Sequence, residues 1–231
     1  MQIIQTAKTT PRPCKIMCLG DSQTRAYTNG IQAKEYWASR LQIRATAQGY
    51  STRTINIGNS GYTTTQLEAL LPSRLSRFNP DVLIIYAGVN DGGAGATTQA
   101  KIQAMIDDAL APANNTNVKF VLVMNTNYLN YSINGDPGYL PYATLRTFQL
   151  AAANYGITTY GAGKVAYADL YSFQAALIAN GTWTQGQWQN SQIADLDQHM
   201  NANAHDYTAQ FVLNQLIGGG AGNVLLPYQI K

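Results

Sequence analysis

Short apolar runs alternate along the chain with segments whose apolar positions recur at helical spacing. The runs at 15–19, 53–57, 82–87, 120–124 and, more weakly, 165–168 read as strands, because they are short, bounded by turn residues and rich in Val, Ile and Leu. Helical periodicity occupies 32–48, 64–76, 97–110, 142–155 and 204–217. In the second of these, Leu67, Leu70, Leu71 and Leu75 form one stripe, and in the last Ala209, Val212, Leu213, Leu216 and Ile217 do the same. Near-continuous apolar strands separated by amphipathic helices predict an α/β fold, a parallel sheet covered by helices on both faces.

Two segments fit neither period. Residues 125–141 are rich in Tyr and Asn, and 180–200 contain Trp183 and Trp188; loops of that length in a compact domain are usually functional or mobile. Residues 1–13 read as an N-terminal extension and 14–217 as one domain. Residues 218–231, beginning in a glycine run, read as a joint and tail suited to attachment to another domain or subunit.

Composition sharpens this picture in one respect. Of 231 residues only 12% are charged against 45% hydrophobic, so the polar surface must be built from Asn, Gln, Thr, Ser, Tyr and Gly, a balance that suits an extracellular or virion protein. The net charge of +3 is dispersed, with no basic run, which argues against nucleic acid as a partner. No stretch approaches the roughly 20 apolar residues of a membrane helix and no signal-peptide core opens this numbering, so a soluble protein is expected. Cys14 and Cys18 sit four residues apart on a strand, about 13 Å between Cα atoms, too far for a disulfide. With two His and no Cys/His cluster, a zinc site is not expected.

The candidate chemistry lies where strands end. KIMCLGDSQTRAY breaks from an apolar run into Gly20, Asp21 and Ser22; the second strand runs into NIGNSGYTT and the third into YAGVNDGG. In an open parallel sheet, ligands bind beyond the carboxyl ends of the strands. Each turn alone is an ordinary turn and helix cap. Together they offer a hydroxyl at Ser22, backbone amides around Gly61 and a carboxamide at Asn90, the parts needed for acyl transfer.

These residues carry a resemblance. Gly20-Asp21-Ser22, the NSGYT around Gly61, the GVND containing Asn90 and a late DLDQHMN containing His199 resemble, in order, the four sequence blocks of the SGNH, or GDSL-type, hydrolase superfamily. The resemblance runs from residue 15 to about residue 217 and implies a flavodoxin-like three-layer α/β/α sandwich with a five-stranded parallel sheet. It makes Ser22 the nucleophile, His199 the general base, and the Ser22 N–H, the Gly61 N–H and the Asn90 side chain an oxyanion hole. Asp21 is expected to hold the turn rather than move a proton. Acyl transfer by a serine and a histidine requires no cofactor.

Two departures follow. The superfamily places an orienting Asp three residues before the His, where this chain has Leu196; Asp195 and Asp197 flank it, and either can serve, since such triads are defined by geometry. A Ser–His pair held by a backbone carbonyl is the alternative. Gln23 stands where the family name expects Leu, and its amide is available to a polar substrate. The second histidine, His205, is the competitor of His199 for the role of base.

For the substrate, Trp183, Trp188 and Tyr128 combine flat aromatic surface with nearby Asn and Gln, which suits sugar rings. The expected activity is hydrolysis of short acyl esters, chiefly acetyl esters of carbohydrate, on a small molecule or a polysaccharide. A general short-chain carboxylesterase or thioesterase is the rival within the same chemistry. A non-catalytic binding module of a larger fibre, permitted by the departure at Leu196, is the rival outside it.

Overall fold

The computed structural model describes residues 12–25, 33–114, 116–126, 141–182 and 199–218. Five strands form one sheet: β1 (Cys14–Gly20), β2 (Thr52–Gly58), β3 (Val82–Tyr86), β4 (Phe120–Met124) and β5 (Val165–Ala168), in the spatial order β2-β1-β3-β4-β5. All four pairings are parallel. The helices are α1 (Ser22–Arg25), α2 (Trp37–Ala47), α3 (Thr64–Phe78), α4 (Gly95–Leu110), α5 (Tyr142–Tyr160), α6 (Leu170–Ala179) and α7 (Ala202–Ile217).

The period-2 geometry of the strands divides the core into two layers. Ile16, Cys18, Ile84, Tyr86, Leu122 and Met124 face α2, α6 and α7, packing with Trp37, Leu41, Leu170, Val212 and Leu213. Their neighbours Met17, Leu19, Leu83, Ile85, Val121 and Val123 face α3, α4 and α5, packing with Leu67, Leu71, Ile102, Met105 and Ala152. Every residue of β3 and β4 is buried, which is why those runs are apolar throughout instead of alternating. The expected three-layer α/β/α sandwich is the observed one. Cys14 and Cys18 are buried in the first layer, and no disulfide joins them among the described residues.

The pattern located β4 and β5 to the residue and mispositioned several helix starts. The helix expected at 32–48 begins at Trp37, after a 3-10 turn at Ala33–Glu35. That expected at 97–110 starts earlier, at Gly95, and that expected at 142–155 continues to Tyr160. Helix α6, sequence LYSFQAALIA, was not anticipated, since it has almost no polar face to reveal a period. Among the described residues, no helix is long and apolar enough to cross a membrane.

After β1 the chain crosses to β2 on one side and later to β3 on the other. The switch point of the sheet therefore lies between β1 and β3. Ser22 follows β1 and Asn90 follows β3, so both flank that point.

Candidate active site

Gly20 ends β1 because no side chain fits there: a Cβ would stand 2.2 Å from the Tyr86 carbonyl oxygen and 2.3 Å from Thr24 Oγ1. The Gly20 carbonyl accepts the Asn59 N–H at 2.9 Å, joining the ends of β1 and β2. Ser22 opens α1, whose first turn closes through the Asp21 carbonyl, accepting from the N–H groups of Thr24 and Arg25. Asp21 itself is buried, its Oδ1 accepting the Gln23 N–H at 2.9 Å. Burial, with the charge of Asp91 adding to it, raises Asp21 to about 7 against the pull of nearby backbone N–H groups.

His199 precedes Met200 and the helix α7. Asn201 caps that helix, its side chain accepting the Ala204 N–H at 2.9 Å. Met200 is buried, its sulfur receiving the Thr208 hydroxyl at 3.3 Å. Anchored this way, His199 Nε2 lies 2.8 Å from Ser22 Oγ across 177 residues of sequence. With the ring proton on Nδ1, Nε2 accepts the hydroxyl proton. His205 is elsewhere: it is 3% exposed, stands edge-on to Tyr36, and is depressed to about 3 by burial and, secondarily, by His199.

The remaining parts come from the turns after β2 and β3. Gly61 has φ +77°, a left-handed backbone that its lack of a side chain allows. Asn90 sits in a 3-10 turn, Val89–Asp91, and its Nδ2 donates to the Tyr62 carbonyl at 3.1 Å. Its neighbour Asp91 accepts the Thr64 N–H at 2.7 Å, the Thr64 hydroxyl at 2.6 Å and the Thr98 hydroxyl at 2.5 Å. Ser22 at the start of α1, and Gly61 and Asn90 on the turns after β2 and β3, therefore lie beyond the carboxyl edge of the sheet, with His199 brought to Ser22 from the segment before α7. Such a set can transfer an acyl group through an activated hydroxyl.

Residues 18–214 match the sequence model of the GDSL-like lipase/acylhydrolase family. The chain belongs to that family. The GDSL-like family is one of hydrolases that act on ester bonds. An arylesterase of Vibrio mimicus is 36% identical over 81 residues; the match covers 35% of this chain and 40% of that protein. Among solved structures, the lipase/acylhydrolase of Enterococcus faecalis superposes with a TM-score of 0.65 at 18% identity, covering 88% of this chain and 95% of that one. An acetyl xylan esterase superposes with a TM-score of 0.65 at 19% identity, covering 88% and 100%. These likenesses are in fold.

Of the residues singled out from sequence, Gln23 is 1% exposed, and its carbonyl accepts the Trp37 Nε1–H at 3.2 Å. The residue is enclosed by protein, unlike the open substrate contact expected. Asp195, Asp197, Trp183, Trp188 and Tyr128 lie outside the described residues. Sequence reasoning passed over Asp91 and its two threonines. The signal was present, since Asp91 follows Asn90 within GVND and Thr64 ends the GYTT after Gly61.

Proposed function

We propose that this GDSL-like hydrolase is a serine esterase that cleaves short acyl esters, chiefly acetyl groups carried on carbohydrate. The observation that carries the reading is the 2.8 Å approach of His199 Nε2 to Ser22 Oγ. Ser22 Oγ attacks the acyl carbonyl as its proton passes to His199 Nε2. The N–H groups of Ser22 and Gly61 and the Asn90 Nδ2 hold the oxyanion, Asn90 keeping one N–H on the Tyr62 carbonyl and giving the other to the substrate. Collapse of the tetrahedral species breaks the acyl–oxygen bond, and the alcohol leaves with the proton held on His199. Water, deprotonated by the same imidazole, then releases the acid from Ser22. Asp195 or Asp197 orients the imidazole in this scheme.

The carbohydrate part of the reading rests on the acetyl xylan esterase likeness and on the aromatic residues Trp183, Trp188 and Tyr128, assigned here as the surface that receives a sugar ring. A general short-chain or aryl esterase is the second reading, favoured by the arylesterase match. A purely binding role accounts less well for the Ser–His contact. We assign residues 14–217 to the hydrolase domain and 218–231 to a tail that joins another domain or subunit.

Acetate release from acetylated xylan, measured beside p-nitrophenyl acetate turnover, separates the readings. Loss of release with Trp183→Ala and Trp188→Ala while aryl ester turnover persists supports the glycan substrate. Equal effects on both substrates remove it in favour of the general esterase.

A further inference from the structure

Three candidates stand out beyond the nucleophile and its base: the Arg146–Asp169 pair over Tyr171, the buried His205, and the carboxylate of Asp91. Arg146 is neutralised by Asp169, and His205 meets no group that points to a ligand. Asp91 carries more.

Two successive side chains of the turn after β3 grip the segment after β2 at two points. Asn90 Nδ2 holds the Tyr62 carbonyl at 3.1 Å, and Asp91 holds the Thr64 N–H and hydroxyl at 2.7 and 2.6 Å. Between the grips and the end of β2 lies Gly61, whose left-handed backbone aims the N–H assigned to the oxyanion. The second carboxylate oxygen also receives the Thr98 hydroxyl at 2.5 Å, so the grip is fixed to α4 as well as to α3. Thr64 and Thr98 are fully buried. Three donors converge on one carboxylate, and bonds to an ionised acceptor are short and strong.

Oxyanion donors help only when held in place before the charge develops. A 3-10 turn of three residues and a left-handed glycine turn have little internal stiffness, so their spacing must be imposed from outside.

We propose that Asp91 is a positioning residue for ester hydrolysis, clamping the first turn of α3 to the turn of Asn90 and so fixing the distance between the Gly61 N–H and the Asn90 carboxamide. Asp91 does not touch the substrate. The proposal rests on the oxyanion-hole assignment under the proposed function, and the experiment separates the two.

Steady-state hydrolysis of p-nitrophenyl acetate is measured for Asp91→Ala, Asn90→Ala and the double variant, with thermal melts to confirm folding. Asp91→Ala is expected to lower kcat about tenfold or more with KM little changed, since it loosens groups that act on the transition state. In the Asn90→Ala background the same change is expected to lower kcat no more than about threefold, because the group it positions is gone. Asp91→Asn keeps an acceptor for the Thr64 N–H and is expected to recover most of the rate. Thr98→Val, which removes one bond from the α4 side, is expected to give a smaller loss of the same kind and serves if Asp91→Ala fails to fold. The affinity of phenylboronic acid, whose serine adduct bears a tetrahedral anion, is expected to fall in step with kcat.

Equal losses from Asp91→Ala in both backgrounds, or loss in KM alone, overturn the positioning role while leaving the oxyanion hole standing. An unchanged kcat in Asn90→Ala overturns the oxyanion assignment itself, and the role of Asp91 with it.

Discussion

His205 stands edge-on to Tyr36, ring centroids 5.1 Å apart and planes at 71°, while His199, six residues earlier, reaches Ser22. The two histidines of one segment thus have opposite environments. His205 is buried, its Nδ1 meeting no partner among the described residues, and burial depresses it to about 3.

That depression sets an acid limit to stability. The unfolded chain takes up the His205 proton near 6.5, whereas the folded chain resists it down to about 3. The neutral form therefore stabilises the fold above 6.5, and this contribution drains away as pH falls toward 3, by at most about 1.4 kcal/mol per pH unit. Melting curves of His205→Phe and the parent from pH 7 to pH 4 are expected to converge or cross, the parent losing stability faster. Parallel curves would deny His205 this role.

Asp21 has the opposite sign. Its folded value is raised to about 7 from 3.8, so the fold favours the protonated carboxyl and loses stability as pH rises from about 4 to about 7. Asp21→Asn, which keeps an oxygen for the Gln23 N–H, is expected to gain in melting temperature relative to the parent as pH goes from 4 to 8. Differential scanning calorimetry at the two ends of that range checks the sign.

At the opposite edge of the sheet, Asp81 is 2% exposed and accepts both arms of Arg12, at 2.6 and 2.7 Å, and the Lys15 N–H at 3.0 Å. Asp81→Ala leaves that N–H unpaired and is expected to cost about 1–3 kcal/mol in urea unfolding. Hydrolysis per folded molecule is expected to stay at the parent level, because the site lies beyond the other ends of the strands.

Two glycines of the site are expected to fail differently. At Gly61 a Cβ meets nothing within 4 Å among the described residues, so Gly61→Ala bears chiefly the left-handed backbone penalty, about 1–2 kcal/mol, and is expected to yield a folded protein with lowered kcat. At Gly20 the Cβ collides with backbone at 2.2 Å, and Gly20→Ala is expected to express poorly or melt much earlier. Circular dichroism melts beside kcat for both variants check the distinction.

The architecture was legible because β3 and β4 are buried on both faces and must be apolar throughout, while α3 shows one buried stripe at Leu67, Leu71 and Leu75. Helix α6 was hidden by the same physics, since a segment apolar on nearly every side has no period to read. The strand-end turns pointed to Ser22, Gly61 and Asn90 by position. What linear sequence could not convey is the cross-linking of those turns: Asp91 meets Thr64 at a separation of 27 residues, and Ser22 meets His199 at 177. The first pairing is set by strand order, which brings the ends of β2 and β3 to either side of β1, and the second by α7, which follows His199 and packs in the same layer as α2.

The central claim is that Ser22 carries the acyl group, and trapping that intermediate tests it most directly. The protein is mixed with p-nitrophenyl acetate, quenched in acid within the first turnovers, digested and analysed by mass spectrometry. The account predicts one acetyl group on the peptide containing Ser22, and none, with turnover abolished, in Ser22→Ala. Turnover persisting in Ser22→Ala, or an acetyl group found only on another residue, would contradict it.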